Sequence, residues 1–180
     1  MKKKPDIVKI EKNFSQKEIE EIKNKIINSQ KSEFTSKEWF LIIKPIGKKY
    51  QKEIKEYLFK KNINIAKELK TKRWREMALP LYIKDIYDPY FEYVLYRNEF
   101  FKTIEGEEAI ILYLKGVKDK NHIYTIKKEM RKIFTVPNTV MIINSMNIEK
   151  NMEINTFHIP DEEHLEKEHK VLYNFLKEKI

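Results

Sequence analysis

Apolar residues recur along this chain with two different periods, and the switches between them outline its elements. Over residues 15–30, Ile19, Ile22, Ile26 and Ile27 share one helical face behind Ser15 and Glu18, a Ser-x-x-Glu capping pair, so an amphipathic helix is predicted. The polar stretch "SQKSEFTSKE" then reads as a linker, and the core begins near Ser36. "EWFLIIKP" is a continuous apolar run closed by Lys-Pro, the pattern of a strand buried on both faces with Lys44 at its C-terminal edge. "KKYQKEIKEYLFKKN" follows with Tyr50, Ile54, Tyr57 and Leu58 at helical spacing, and "INIAKELKTKRW" reads as a second strand.

The aromatic-rich segment from Trp74 to Ile104, broken at Pro80 and Pro89, predicts two or three short helices covering one face of a sheet. "EEAIILYLKG" is a further strand, a helix spans His122 to Phe134, and "TVMIIN" is another strand. A short run then leads into His158, and a last helix starts near Glu162. This order predicts an α+β fold, a ferredoxin-like βαββαβ sandwich whose antiparallel sheet is packed by helices on one side. The chain divides into a basic N-terminal extension with its helix, residues 1–35, and a core domain, residues 36–180.

At 180 residues the core needs no covalent staples, and the absence of cysteine excludes disulfide frameworks, zinc ribbons and thiol nucleophiles. Without a secretory h-region or a membrane-length apolar run, the expectation is a soluble, cytoplasmic protein. The net charge of +9, from 37 Lys+Arg against 28 Asp+Glu, raises nucleic-acid binding. Its lysines, however, are interleaved with glutamates in the manner of solvated helix faces. Only three glycines are present, Gly47, Gly106 and Gly116, too dispersed for a dinucleotide fingerprint or a Walker A loop. A nucleotide, if bound, must be held by side chains.

The candidate chemistry sits at His158. Pro160 holds Ile159 extended and Asp161 is suited to cap the last helix, which places the imidazole at the mouth of a strand-to-helix turn. Along that helix Leu165, Leu172, Phe175 and Leu176 form an apolar stripe, and Glu168 falls within it. Two arrangements satisfy this pattern. Either Glu168 lies at the solvent edge and His158 is a packed or surface residue, or the carboxylate is buried and takes His158 as its partner. In the second case it fixes the tautomer and leaves the other ring nitrogen as a nucleophile. His122, His164 and His169 occupy charged surroundings, and His164 and His169 lack the i, i+4 spacing of a helical zinc pair, so no metal ligand is assigned.

Taken together, these segments resemble the nucleoside diphosphate kinase family over residues 39–175. "FLIIKPIG" is similar to its strand ending in Lys-Pro-Asp-Gly, and Asn155-Thr156-Phe157-His158-Ile159-Pro160-Asp161 to its Asn-x-x-His-Gly-Ser-Asp segment. The helix after it resembles the family's Ala-x-x-Glu helix, with Glu168 on the Glu after a one-residue gap. "AIILYLKG", "EMRKIF" and "VPNTVM" resemble three further family segments, in order.

The resemblance implies a ping-pong transfer in which a nucleoside triphosphate passes its γ-phosphoryl group to His158 and a nucleoside diphosphate collects it. Mg²⁺ is carried in with the nucleotide, and Glu168 orients the imidazole. It further implies that Lys44 and Arg131 bind phosphate, that Asn155 contacts the sugar 3′-hydroxyl, that Thr135 contributes to the nucleotide site, and that Tyr87 or Tyr90 packs beside the phosphohistidine. A homo-oligomer is implied as well. Departures are Met141 at the second phosphate arginine, Ile159-Pro160 in place of Gly-Ser, Ile46 in place of Asp, and a shortened segment between "RKIF" and "VPNT". One missing charge-assisted phosphate contact corresponds to about 2–3 kcal/mol, which slows transfer without abolishing it. Other readings are a non-catalytic nucleotide-binding or assembly module on the same fold, and a basic adaptor that binds nucleic acid through "MKKKP" and the Lys70, Lys72, Arg73 and Arg75 cluster around Trp74.

Overall fold

The computed structural model describes residues 13–104, 106–142 and 148–177. The chain runs α1 (Gln16–Ser29), β1 (Phe40–Ile43), a 3-10 turn (Pro45–Tyr50), α2 (Gln51–Lys60), β2 (Asn64–Thr71), α3 (Trp74–Tyr82) and α4 (Phe91–Ile104). It continues through β3 (Ala109–Lys115), α5 (Lys120–Ile133), β4 (Thr135–Ile142), β5 (Ile148–Asn155), β6 (Phe157–His158) and α6 (Glu162–Leu176). The capping pair read from the sequence forms as expected: the Ser15 hydroxyl accepts from the Glu18 N–H, and the Glu18 carboxylate accepts from the Ser15 N–H.

Four strands make one antiparallel sheet in the order β2-β3-β1-β6. This α+β arrangement is compatible with a ferredoxin-like path. Two expectations need correction. Helices cover both faces of the sheet, because β1 and β3 are apolar at successive positions and so must bury both sides. On one face Leu41, Ile43, Ile110 and Leu112 pack against α2 and α5 through Ile54, Leu58, Ile123, Ile126 and Met130. On the other, Phe40, Ile42, Ile111 and Tyr113 meet α3 and α6 through Trp74, Met77, Leu81, Leu165 and Leu172.

The second correction concerns "TVMIIN". Its described part, residues 139–142, does not join the main sheet but belongs to β4, which pairs with β5 in a separate two-stranded ribbon, from Thr135↔Asn155 to Ile142↔Ile148. The polar run Glu149-Lys150-Asn151 hides β5 from a pattern search, and the fourth strand of the main sheet is the two-residue β6 that carries His158. Pro80, read as a break, lies inside α3, which ends two residues later.

α1 packs back on the core. Ile26 joins Ile83, Phe91 and Leu95 in a buried cluster, and the Gln30 amide donates to the carbonyls of Pro80 and Ile83 at 3.2 and 3.1 Å. Asn174 of α6 donates to the Ser29 and Lys31 carbonyls, so the extension is tied to both helices that border the candidate site. No described helix is long and apolar enough to cross a membrane.

The 3-10 turn after β1 passes close to the chain entering β6. A Cβ placed on Gly47 would lie 2.1 Å from the Thr156 carbonyl oxygen, while the Lys44 N–H donates to that same carbonyl at 3.0 Å. Gly47→Ala therefore forces the two backbones apart and is expected to lower stability by about 1–3 kcal/mol. A urea denaturation midpoint equal to that of the parent chain would show that the close approach carries no such constraint.

Candidate active site around His158

The side-chain alternation of a strand decides which way His158 points. Its neighbours Phe157 and Ile159 pack into the α2 and α5 face, so His158 projects to the opposite face, toward α3 and α6. Its register partner is Ile42, whose side chain packs on that α3 and α6 face, and Lys44 follows two residues later in extended backbone. The edge position of β6 thus brings an imidazole and an ammonium to the same end and the same face of the sheet.

α6 supplies the carboxylate. Glu168 lies between Leu165 and Leu172 on the buried stripe, its side chain only 2 % exposed, and its Oε2 is 2.5 Å from Nε2 of His158. Its other oxygen, Oε1, accepts from Nζ of Lys84, a residue in the connection between α3 and α4. Both carboxylate oxygens are therefore occupied, which is what a carboxylate removed from water requires. The arrangement left open by the sequence resolves in favour of a buried Glu168 bonded to His158.

The charges follow from this packing. Burial pushes the His158 pKa down; Glu168 pulls it up, while Lys84 and Lys44 push it down again, and the balance falls below the ordinary imidazole value. For Glu168 burial acts upward, but the imidazole and Lys84 outweigh it and hold the carboxyl low. At neutral pH the pair is thus carboxylate and neutral imidazole. Nε2–H donates to Glu168, and the lone pair of Nδ1 is left unprotonated. Among the described residues none hydrogen-bonds Nδ1, and the side chain is 14 % exposed.

One aromatic ring completes the surroundings. Tyr82, at the end of α3, meets the imidazole edge to face with centroids 5.5 Å apart. The Lys44 ammonium lies 5.3 Å and the Arg97 guanidinium 5.1 Å from the Tyr82 ring centroid. Lys44 is itself buried. Cation and ring quadrupole attract, and this arrangement concentrates positive charge beside His158.

Of the residues expected here, His158, Glu168 and Lys44 come together. Asn155 and Thr135 are the first register pair of the β4–β5 ribbon, both half-buried, next to Thr156, whose carbonyl holds the Lys44 N–H. Arg131 is exposed on the last turn of α5, one turn beyond Lys127, and among the described residues no contact joins it to His158. The side chain of Met141 lies outside the described residues. Tyr87 and Tyr90 do not pack beside the imidazole. They are 83 % and 70 % exposed on a connection folded by two Asx turns, in which Asp85 and Asp88 accept from the N–H groups of Tyr87 and Tyr90.

Three residues of the surroundings were not singled out from sequence: Tyr82, which meets the imidazole, Lys84, which meets Glu168, and Arg97, which lies against the Tyr82 ring. The available signal was Lys84, a lysine directly after the apolar run "LPLYI". Asp161 is the N-cap of α6 by its backbone, but its carboxylate is not used for capping. It accepts from Lys127 of α5 at 2.6 Å, and the Glu162 N–H is met instead by the Tyr124 hydroxyl.

The basic cluster of β2 lines a separate cavity of about 650 Å³ with Lys70, Lys72, Arg73 and Lys177. Trp74 is buried in the core there and has no face to offer a base. Arg73 is taken by Glu76 and by the Phe175 carbonyl and ring. The "MKKKP" arm that the nucleic-acid reading also requires lies outside the described residues.

His169, expected on a charged surface, is instead buried. Its Nε2 is 2.6 Å from the Glu38 carbonyl, its ring packs against Phe40 and Tyr113, and burial is the main cause holding its pKa below the ordinary value. With His158 and His169 both depressed, the unfolded chain binds more protons than the native one once the pH drops below about 6.5. Stability is then full above that pH and is lost progressively as the pH falls toward the native pKa values. Urea midpoints measured from pH 8 to pH 5 are expected to decline below 6.5, less steeply in His169→Leu. A flat profile would overturn both assignments.

No protein-family model matches this chain, and no curated protein matches it at a meaningful level, so the chemistry of the site is read from its own geometry.

Proposed function

We propose that the chain is a phosphotransferase of the nucleoside diphosphate kinase type, working through a phosphohistidine at His158 on a ferredoxin-like core. The observation that carries the reading is the pairing of Nε2 with a buried, doubly bonded Glu168, which leaves Nδ1 as the nucleophilic nitrogen next to Lys44. Phosphoryl transfer asks little covalent help of a protein. It needs an in-line nucleophile and positive charge where the phosphate oxygens lie.

In the first half-reaction Nδ1 attacks the γ-phosphorus of a nucleoside triphosphate, which arrives with its Mg²⁺, and the diphosphate leaves. In the second, a different diphosphate attacks the phosphohistidine and departs as triphosphate. Lys44 compensates phosphate charge from the end of β1. Arg97, across the Tyr82 ring, is a guanidinium on the same side of the molecule, supplied by α4 rather than by the ribbon that carries Met141. In this reading Tyr82 limits rotation of the imidazole, while Asn155 and Thr135, paired at the base of the ribbon, would meet the sugar.

The test is incubation with γ-labelled ATP. Acid-labile, alkali-stable label on the protein that can be chased off by an unlabelled diphosphate is the expected result. Nucleotide binding without any label would favour a non-catalytic nucleotide module. Salt-sensitive oligonucleotide binding without label would favour the basic adaptor, whose supporting observation is the lysine-lined cavity at the end of β2.

A further inference from the structure

Among the described residues Lys84 is the one cation that touches the carboxylate controlling His158, and it is held from several directions. Its ammonium donates to Glu168 Oε1 and to the Leu81 carbonyl, the latter at 2.5 Å, and its own carbonyl accepts from Lys167 of α6. One residue earlier the Ile83 carbonyl is held by Gln30. A lysine on a loose surface loop would not be fastened at the ammonium, at its own carbonyl and at the residue before it. This one is built into the site.

We propose that Lys84 is a positioning residue for His158, acting through Glu168 to keep the imidazole neutral, with its proton on Nε2 and Nδ1 open. The inference takes from the preceding reading only that His158 is the working group.

Charge balance decides the protonation of His158, because the Glu168 carboxylate is removed from water. Lys84 and Glu168 together are neutral, so a proton added to His158 leaves this partly buried group of three with net positive charge, further opposed by Lys44. Remove the Lys84 charge, and Glu168 with a neutral imidazole is a lone buried anion. Protonating His158 then neutralises it and becomes favourable. A carboxylate alone behind a histidine therefore draws a proton onto the ring, whereas a carboxylate already paired with lysine still accepts the Nε2–H bond without doing so. The first condition blocks Nδ1 as a nucleophile at mildly acidic pH. The second leaves it available.

The other charged groups nearby do not replace Lys84. Lys44, just after β1, acts on the imidazole and Arg97 of α4 lies against the Tyr82 ring, but among the described residues neither is bonded to the carboxylate. Asp161 is paired with Lys127 of α5. Lys167 reaches the Lys84 carbonyl rather than Glu168, and Asp85 and His164 act on Lys167 and Asp161 in turn.

The experiment is long-range ¹H–¹⁵N correlation of the imidazole nitrogens in the full chain between pH 5 and 8. His158 is distinguished from His122, His164 and His169 by the spectrum of His158→Gln. In the parent chain Nδ1 is expected to stay unprotonated and Nε2 protonated below pH 6.5. In Lys84→Met the protonation midpoint of His158 is expected to rise by about one pH unit, a tenfold gain in proton affinity. Lys84→Arg, which keeps the charge, is expected to restore the parent midpoint. A His158 that titrates at the same or lower pH in Lys84→Met would overturn the proposal, as would a parent chain with the proton on Nδ1. Should Lys84→Met fail to fold, Lys84→Gln, which keeps a polar head, gives the same comparison. Failure of phosphate transfer in these samples would count against the kinase reading and leave this result standing.

Discussion

His158→Gln is expected to bring acid-labile phosphate incorporation from γ-labelled ATP down to background while the chain remains folded. Glutamine can still donate an amide N–H to Glu168, so the buried carboxylate keeps both of its bonds, but no nitrogen nucleophile remains. Loss of the attacking atom is not a graded effect. Other groups in the site orient phosphate, and none of them can form the covalent intermediate in its place. Lys44→Met, by contrast, removes charge compensation and is expected to slow labelling by about a hundredfold, the equivalent of about 2–3 kcal/mol, without eliminating it. Label that persists undiminished in His158→Gln would sink the phosphohistidine assignment.

The second large effect is on stability. Glu168→Ala is expected to lower the unfolding free energy by about 3–5 kcal/mol, because it leaves the Lys84 ammonium with no counter-charge and the His158 Nε2–H with no acceptor, and opens a space in the stripe between Leu165 and Leu172. Glu168→Gln keeps the volume and one acceptor and should cost less, about 1–3 kcal/mol. Denaturant titrations of the three proteins decide the matter. A Glu168→Ala protein within 1 kcal/mol of the parent would mean that the Lys84 ion pair and the His158 hydrogen bond contribute nothing to folding. Exposed pairs such as Lys52 and Glu56 differ, since water screens them and their removal should be nearly silent.

Much of the site was legible in the sequence because its members announce themselves by conflict with local pattern. Glu168 interrupts an apolar stripe, Lys44 closes an apolar strand, and His158 stands before Pro160 and a helix start. Each conflict demands a partner elsewhere: Glu168 and His158 meet each other, and Lys44 meets the Tyr82 ring. Tyr82 carries no such conflict. An aromatic at the end of an aromatic-rich helix looks like any core residue, and the family resemblance points instead to Tyr87 or Tyr90, which the Asx turns hold out in solvent. Arg97 sits in a helix, Phe91–Ile104, whose aromatics surround it on every side, so no face stands out.

The strand carrying His158 was harder still. Two residues are too few to show a period, and β5 before it is polar enough to pass for a loop. Which four strands form the sheet therefore had to come from pairing at a distance.

The amino-acid order by itself fixed the periods, and with them the amphipathic helices, the doubly buried strands β1 and β3, and the need for some partner to satisfy a carboxylate inside a helix stripe. These are consequences of neighbours along the chain, because helix and strand geometry repeat over a few residues. Only tertiary structure decided that Lys84, 84 positions away, would share that carboxylate with His158. It also placed the helices on both faces and the ribbon off the sheet. Such choices depend on how whole surfaces fit, and no local stretch of sequence carries that information.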